Sequence, residues 1–256
     1  MTNLIADKIL LYVIVFALGI SIGSFLNVVI YRVPRKQSII RPPSHCPICG
    51  HRLAWYDLIP VFSYIFQKGR CRYCGAKISY KYPLVELITG LSFIAIFAKF
   101  GLSVKSAEYM AFASFLIAGG FMDLFDGVVN DWLVILGIAT GLSFSVYFNT
   151  FFDNLLGMAV AFAFFALIIF LTHGNGMGEG DATFGALIGS FLGIKLTILT
   201  ILFAFILGAI IGVILIYVFH RKKEDAVPFV PFMALSAFMM LFIGNPIISF
   251  YMKLFH

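Results

Sequence analysis

Residues 154–172 read NLLGMAVAFAFFALIIFLT, a continuous apolar run that contains no charged side chain. A hydrocarbon core about 30 Å thick needs about 20 such residues to be crossed by one helix. The whole chain shares this character, with 61% hydrophobic residues, 12% charged residues and a mean hydropathy of +1.01. Soluble domains contain roughly 25% charged residues, so the composition predicts an integral membrane protein.

Several further stretches resemble this run, which predicts an all-α polytopic membrane protein with about eight transmembrane helices. The predicted spans are 9–30, 83–100, 106–122, 132–149, 154–172, 182–194, 196–219 and 228–252. The sixth span is short, and its boundary with the seventh is the least defined. The first run is longer than the apolar region of about 7–15 residues in a secretory signal, so we expect it to be retained as the first helix.

Basic residues concentrate in two connections between spans. Ten Lys/Arg lie between residues 31 and 82 against a single acid, Asp57, and three more occupy 221–223. The positive-inside rule makes both connections cytoplasmic, and the count of spans then places both termini outside. We expect attraction to anionic membrane lipids as a second use of this charge. The basic residues are dispersed and show no nucleic-acid-binding fold, so nucleic acid is not an expected partner.

All four cysteines lie in the first basic connection, as Cys46-Pro-Ile-Cys49 and Cys71-Arg-Tyr-Cys74. Two C-x2-C pairs at this separation are typical of a four-thiolate zinc site, which closes a tetrahedron and leaves no open position. We therefore predict structural zinc, with a glycine after each pair suiting the turns. The alternatives are two disulfides, which a reducing cytoplasm disfavours, or free thiols. The nearby His45 and His51 are interpreted as bystanders because four thiolates already fill the site.

Two aspartates lie at the edges of apolar spans. An ionised carboxylate near hydrocarbon is energetically costly, so each of these residues is a candidate functional residue. Asp123 follows the span 106–122, and Asp181 precedes the span 182–194. The predicted topology brings both to the cytoplasmic ends of their helices, at similar depth. Spacing favours Asp123 over its rival Asp126, which looks like a turn residue, while Asp131 is expected to be the N-cap of the next helix.

Asp181 closes the run Gly176-Met-Gly178-Glu-Gly180-Asp181. Glycines carry no side chain, so this run can approach another chain closely or accept an extended substrate. Gly178 and Gly180 are therefore candidate substrate-binding residues. The alternative is a flexible loop that ends in a helix N-cap. A phosphate-binding loop is disfavoured because the run follows no strand and carries no Lys-Ser/Thr.

Two carboxylates held a few ångströms apart cannot both ionise, so they share a proton. The ionised member can take a proton from water while the protonated member donates one to a scissile carbonyl. This chemistry predicts peptide hydrolysis without a covalent enzyme intermediate. No G-x-S-x-G elbow or H-E-x-x-H helix offers a competing nucleophile or metal site.

These motifs together resemble the bacterial type IV prepilin peptidases, a family of G-x-G-D intramembrane aspartyl proteases. The resemblance covers about residues 20–235 and combines the G-x-G-D run, the preceding Asp and the four-cysteine loop after the first helix. Four further stretches match: GSFLNVVIYRVP at 23–34, WYDLIP at 55–60, YPLVELITG at 82–90 and VPFVPF at 227–232. A lone G-x-G-D also occurs in presenilin-like proteases and archaeal preflagellin peptidases, but the cysteine loop separates this chain from both.

The resemblance implies a bifunctional enzyme of the bacterial cytoplasmic membrane. Its members cleave the leader of prepilins and pseudopilins on the cytoplasmic side and then N-methylate the new N-terminal residue with S-adenosylmethionine. The family's catalytic aspartates fall on Asp123 and Asp181. The chain departs from the family pattern at Thr183, where Lys is usual, at Asn130, where Pro is usual, and at Val230, where Gly is common. The methyl donor is implied by resemblance alone.

The expected organisation is a first transmembrane helix (1–30), a cytoplasmic zinc-binding domain (31–82) and a transmembrane peptidase core (83–256). Two other classes of function stay open: a proton-coupled membrane transporter and a non-catalytic assembly factor. A transporter would need acids strung across several helix midpoints, whereas Glu86 is the only other deep acid and is interpreted as helix packing. The sequence makes no prediction of the oligomeric state.

Overall fold

The computed structural model describes residues 2–174, 176–218 and 227–254, and these segments form helices joined by short connections and one long loop. The basic residues 221–223 and the end of the predicted span 196–219 lie outside the described residues. The helices are α1 (Thr2–Arg32), α2 (Phe62–Phe66), α3 (Lys81–Phe100), α4 (Val104–Asp126), α5 (Asp131–Tyr147), α6 (Phe151–Leu171), α7 (Glu179–Tyr217) and α8 (Val230–Leu254), with a 3-10 turn at Trp55–Leu58.

The apolar runs of the sequence become long helices, so the predicted all-α polytopic fold is confirmed. In the described segments six helices are long and apolar enough to cross a membrane: α1, α3, α4, α6, α7 and α8. Helix α5 is apolar but only 17 residues long. Four of the predicted spans fall entirely within one of these seven helices: 9–30, 83–100, 106–122 and 182–194. The spans 132–149 and 154–172 extend two residues and one residue past the ends of α5 and α6, 196–219 extends past the end of α7, and 228–252 begins two residues before α8.

Helix α7 contains both the sixth and the seventh predicted span. Its 39 residues would extend about 58 Å if straight, nearly twice a hydrocarbon core of about 30 Å. Gly193 interrupts the helix with non-helical angles of φ 69° and ψ 174°, which a residue with a Cβ rarely adopts. The buried Asn154 Nδ2 of α6 donates to Ser190 O, a carbonyl just before this break, at 2.8 Å. The break therefore lies two residues before the predicted boundary, and a neighbouring helix satisfies the exposed backbone.

The chain divides into two compact units, Met1–Ala118 and Gly119–His256. In the first unit, α1 packs against α3 at a seam of glycines. A Cβ built on Gly19 would lie 2.7 Å from Gly90 Cα, and one on Gly23 would lie 2.7 Å from Glu86 Cα. The backbones therefore touch, as membrane helices do where small residues face each other. The predicted domains are defined by function and stay a prediction: a first transmembrane helix (1–30), a zinc-binding domain (31–82) and a peptidase core (83–256).

In the second unit, α7 packs against α5, α6 and α8, and its closest approach is to α6. A Cβ built on Gly189 would lie 2.4 Å from both Gly157 C and Met158 N. Real Cβ atoms essentially never come this near to backbone, so the two helices can take this separation only with glycine at 189. This contact holds the first half of α7, which carries Asp181, against the bundle.

Gly189→Ala is expected to destabilise the protein by about 1–3 kcal/mol, because the added methyl group must push two packed backbones apart. The matched control is Gly212→Ala, also on α7, where an added Cβ would meet nothing within 4 Å. That control should leave the midpoint of thermal unfolding unchanged or slightly raised. Thermal unfolding of both purified variants in detergent measures the difference, and equal midpoints would contradict the close helix contact.

Candidate active site and metal centre

Asp123 lies in the last turn of α4, where the helix is about to end. Gly127, with φ +66°, follows the helix, and its N–H donates to Asp123 O at 2.9 Å. The Asp123 side chain is 9% exposed, and its Oδ2 accepts a hydrogen bond from Val230 N at 3.1 Å. Val230 is the first residue of α8, whose opening N–H groups have no partner inside the helix. The carboxylate therefore ties the end of α4 to the start of α8.

Asp181 is the third residue of α7 and is also 9% exposed. Its Oδ2 accepts a hydrogen bond from the N–H of Gly178, the N-cap residue, at 3.0 Å. An acid at this position commonly reaches back to the N-cap N–H, and it also favours the positive end of the helix dipole. The helix thus begins at Glu179, earlier than the predicted span, and the alternative in which Asp181 is itself the N-cap residue is wrong.

The two carboxylates open onto one cavity of about 250 Å³. The remaining walls are formed by 127–129 after α4, by 178–180 at the start of α7 and by Val230. The structure therefore brings together all four residues that the sequence singled out here: Asp123, Asp181, Gly178 and Gly180.

The other two acids of the segment after α4 take different positions. Asp126 is the last residue of α4, beside the turn at Gly127 as expected, and is not among the residues that line the cavity. The prediction that Asp131 caps the next helix is wrong. Asn130 is the N-cap of α5, since its Oδ1 accepts from Trp132 N at 3.0 Å, and Asp131 is the first helical residue. Asn130 and not Asp131 is the N-cap because the backbone at position 130 is extended, as an N-cap requires, whereas Asp131 is already part of the helix.

All three departures from the family pattern lie beside this cavity. Asn130 provides the cap just described, and Val230 contacts Asp123 through its backbone N–H, which any residue except proline would supply. Thr183 Oγ1 donates to Gly180 O at 3.1 Å. Sequence reasoning missed Val129 and Glu179 as cavity residues. It also missed the partner of Asp123, because a bond spanning 107 positions leaves no local pattern in the sequence.

The four cysteines of the first connection form a compact cluster. Cys46, Cys49, Cys71 and Cys74 offer sulfurs that all lie within 4.8 Å of one another. Cys46 Sγ and Cys74 Sγ are 3.8 Å apart, and a tetrahedral ion with bonds of about 2.3 Å to sulfur separates its ligands by about 3.8 Å. The donor set therefore fits a four-thiolate metal site. Neither His45 nor His51 belongs to the cluster, in agreement with their interpretation as bystanders.

The two cysteine pairs form two similar turns. Gly50 N donates to Cys46 O and Gly75 N donates to Cys71 O, both at 2.9 Å, and both glycines have positive φ. Hydrogen bonds from the backbone N–H groups of Cys49 and Ile48 lower the pKa of the Cys46 thiol from 9.0 to about 6. At Cys46 the backbone N–H groups thus favour the thiolate, the form that binds metal. The glycine after each pair has the role in the turn that the sequence predicted.

Asp57, the single acid of this loop, is buried and joins its parts. Its Oδ1 accepts from Gln67 Nε2 at 3.0 Å and from Arg72 Nε at 2.9 Å, and its Oδ2 accepts from Tyr73 Oη at 3.0 Å. Arg72 and Tyr73 lie between the second pair of cysteines. The carboxylate therefore fixes one cysteine turn to the 3-10 turn that contains Asp57, a role that the charge count did not reveal.

Glu86 does more than pack in α3. The side chain is 8% exposed, and its Oε2 accepts a hydrogen bond from Val61 N in the cysteine loop at 2.7 Å. Val61 has φ 65°, an uncommon conformation for a β-branched residue. The bond holds this turn against the helix that follows the loop, so the interpretation of Glu86 as helix packing needs this correction.

Two family models match the chain. The bacterial peptidase A24 N-terminal domain matches residues 17–100, which include the cysteine loop. The type IV leader peptidase family matches residues 110–213, which include both aspartates. No solved structure matches the chain.

Relatives named prepilin leader peptidase/N-methyltransferase align with the chain. The protein of Myxococcus xanthus is 44% identical over 158 residues, which cover 61% of this chain and 47% of that relative. The protein of Bacillus subtilis is 35% identical over 243 residues, covering 94% of this chain and 98% of the relative. The protein of Xanthomonas campestris is 31% identical over 271 residues, covering 92% of each. Because two family models match consecutive parts of the chain and relatives at least 30% identical align with nearly its full length, the chain belongs to the type IV leader peptidase family.

Proposed function

We propose that the chain is an aspartyl endopeptidase that removes the leader peptide of type IV prepilins or pseudopilins, with Asp123 and Asp181 as its catalytic residues. The observation that carries the proposal is the pair of buried carboxylates on one cavity. The names of the relatives and the family supply the class of substrate. Six apolar helices in the described part of the chain, together with this family, make the chain a multi-pass membrane protein.

The geometry suits water-mediated hydrolysis. In each aspartate a backbone N–H engages Oδ2, so each carboxylate is held in place and presents Oδ1 as its second oxygen. One carboxylate takes a proton from water while the other donates its proton to the scissile carbonyl oxygen. The resulting gem-diol collapses as the C–N bond breaks, and the leaving nitrogen receives a proton from the pair. No bond to the enzyme forms.

Gly178 and Gly180 would bind the substrate backbone at the mouth of the cavity. A Cβ on Gly180 would lie 3.5 Å from Val129 Cβ, in ordinary contact, so glycine leaves that volume open. Gly180 O already accepts from Thr183. Because the 127–129 turn and the glycine run both line the cavity, we expect the substrate to lie between them in extended form. Its scissile amide can then reach both carboxylates.

We place the site at the cytoplasmic face. The basic cysteine loop between α1 and α3 is expected on that side by the positive-inside rule. Helix α3 then leads away from the cytoplasm and α4 returns to it, so the C-terminal end of α4, with Asp123, comes out on the cytoplasmic side. The same basic loop would contact anionic membrane lipids.

The cysteine cluster would hold zinc as a structural ion. Four thiolates leave no position for water or substrate, so the metal would cross-link the two turns and supply no reactive group. We also propose that the chain N-methylates the new N-terminal amine, with S-adenosylmethionine as methyl donor. The support for this second activity is the name shared by the relatives and the resemblance of the N-terminal motifs.

Mass spectrometry of a type IV prepilin tests both activities together. Membranes that contain the protein should convert the prepilin to a product shorter by its leader, and S-adenosylmethionine should add the mass of one methyl group to that product. The control is the same membranes without the protein. A prepilin that stays intact under every condition would contradict the peptidase proposal, and cleavage without added mass would contradict the methyltransferase proposal.

A further inference from the structure

Residues 55–66 of the cysteine loop, WYDLIPVFSYIF, expose several large apolar side chains. Trp55 is 78% exposed, Ile65 is 61% exposed and Phe66 is 80% exposed. These residues belong to the 3-10 turn and to α2, which follow each other in the loop. An exposed apolar surface of this kind marks a site of contact with another molecule or with a membrane. We call residues 55–66 the aromatic segment.

The exposed side chains of the aromatic segment share faces of its two short helical pieces. Phe62, Ile65 and Phe66 are three and four residues apart in α2, so they lie on one face of that helix. Trp55 and Leu58 are three residues apart in the 3-10 turn, where such residues lie one above the other. Each piece therefore presents an apolar face to the outside.

Asp57 is the single charged residue between 53 and 67, and its carboxylate points inward. It accepts a hydrogen bond from Gln67 Nε2, directly after α2, and so ties α2 to the 3-10 turn. It also accepts from Arg72 and Tyr73, between the second pair of cysteines. The aromatic segment is thus a folded unit, apolar on its exposed side and fixed to the cysteine cluster.

The aromatic segment is held beside a membrane-spanning helix. Glu86 Oε2 of α3 accepts from Val61 N at 2.7 Å. Glu86 is the sixth residue of α3 and lies about 7.5 Å along the helix from its first residue, Lys81. The reach of one side chain and one hydrogen bond keeps Val61 alongside the start of α3. The segment therefore lies at the level of the headgroup layer that borders the hydrocarbon core.

Basic residues flank the apolar surface. Arg52 precedes the aromatic segment and Lys68 and Arg70 follow it, and all three are exposed. Tryptophan and other aromatic side chains favour the interface between membrane and water, and cations beside an apolar face favour anionic lipid headgroups. The charge pattern therefore fits the anionic surface of a lipid bilayer.

We propose that the aromatic segment is an interfacial membrane anchor, in which Trp55 and the exposed face of α2 insert into the cytoplasmic leaflet. The inference rests on the cytoplasmic placement of the loop proposed above and is independent of the peptidase chemistry. It goes beyond contact of the basic loop with headgroups, because apolar side chains enter the bilayer. The inserted segment holds the cysteine cluster against the membrane through Asp57.

The connection of the loop to the membrane favours lipid over a soluble protein as the partner. Both ends of the loop continue into helices, α1 and α3, that are apolar and long enough to cross the bilayer. The bilayer is therefore present at the aromatic segment at a high effective concentration, and insertion needs no separate association step.

Tryptophan fluorescence tests the anchor directly. Trp132→Phe leaves Trp55 as the only tryptophan of the chain. In liposomes, lipids with bromine high on the acyl chains should quench about half of the Trp55 emission, since an interfacial helix is buried only about 5–10 Å deep. Lipids with bromine at the chain ends should quench less. Absence of quenching by both lipids would overturn the proposal, and so would a Trp55 shielded from aqueous acrylamide only after a prepilin is added.

Phe66→Asp and Ile40→Asp, each combined with Trp132→Phe, form a matched pair. Phe66 is 80% exposed within the aromatic segment, and Ile40 is 79% exposed in the same loop but outside the segment. Phe66→Asp should lower the quenching of Trp55 by bromolipid about twofold or more, because a buried phenyl ring is replaced by a charge. Ile40→Asp should leave it unchanged. Equal quenching in the two variants would overturn the insertion of α2.

The headgroup is tested in vesicles of phosphatidylcholine and phosphatidylglycerol. Brominated phosphatidylglycerol should quench Trp55 more strongly than phosphatidylcholine brominated at the same positions. Lys68→Gln combined with Arg70→Gln should remove this difference. Equal quenching by the two lipids in the protein that keeps both cations would overturn the assignment of an anionic surface.

The anchor and the peptidase proposal fail in different experiments. Cleavage that persists in Asp123→Asn and Asp181→Asn overturns the peptidase chemistry and leaves the fluorescence of Trp55 unaffected. A Trp55 that bromolipids do not quench, in a protein whose cleavage needs both aspartates, overturns the anchor alone.

Discussion

Asp123→Asn and Asp181→Asn are each expected to lower the rate of prepilin cleavage by about 10²–10⁴-fold, the range typical of lost acid–base catalysis. The amide of asparagine can neither take a proton from water nor deliver one to the scissile carbonyl. The measurement is the initial rate of leader removal in membranes at matched protein levels. The double variant should be little worse than either single variant, because the two groups act as a unit.

Asparagine is the right substitution because it keeps the structural bonds of both aspartates. Its side-chain oxygen can still accept from Val230 N at position 123 and from Gly178 N at position 181. An alanine would leave these N–H groups unpaired, at a cost of about 1–3 kcal/mol for a buried donor. A loss of activity in the asparagine variants, with an unchanged unfolding midpoint, therefore reports chemistry and not stability.

Asp131→Asn is the matched control. Asp131 belongs to the same acidic segment but is exposed and does not line the carboxylate cavity. Cleavage by this variant should stay within a few-fold of the wild-type rate. Full activity of either Asp123→Asn or Asp181→Asn would remove the assignment of the carboxylate pair as the catalytic centre.

Cys46→Ser or Cys74→Ser is expected to abolish stoichiometric zinc binding and to unfold the loop between α1 and α3. Zinc provides about 10–16 kcal/mol to the folding of small zinc-finger peptides, and this loop is of similar size. The wild-type protein should hold about one zinc per chain, with its four thiols protected from alkylation. Metal analysis and limited proteolysis of the loop measure the two effects.

The consequences for activity separate the two halves of the proposed function. We expect the serine variants to lose methylation before they lose cleavage, since both aspartates lie outside the cysteine loop. His45→Ala is the control, because its Nδ1 lies 3.0 Å from Pro43 O and its ring is not part of the cysteine cluster. This variant should keep its zinc. Wild-type protein with all four thiols open to alkylation and no bound metal would contradict the zinc assignment.

Much of the fold could be predicted because the membrane constrains it so strongly. A helix that crosses hydrocarbon must form all the hydrogen bonds of its own backbone and must be apolar for about 20 residues. Each long apolar run of the sequence therefore predicts a helix. The same physics exposes the candidate site, since Asp123 and Asp181 stand out against apolar neighbours. The cysteine spacing predicts its cluster equally directly, because two short turns determine where four sulfurs can point.

Predictions based on local pattern were weaker where two residues competed for one position. Asp131 and Asn130 are both good N-cap residues, and the backbone conformation at 130 decided between them. Asp181 could have capped α7, but the helix begins one turn earlier at Glu179. Glu86 looked like packing because its partner, the N–H of Val61, lies 25 residues away.

The sequence by itself determined that the chain is a membrane helix bundle with a four-cysteine loop and two acids at helix ends, because hydropathy and short-range spacing are local properties. Tertiary structure alone decided that the acids face one cavity and that Val230 holds Asp123. These features depend on helices that are distant in the chain meeting at glycine contacts such as Gly157–Gly189. Such contacts follow from the packing of whole surfaces, which no stretch of sequence specifies alone.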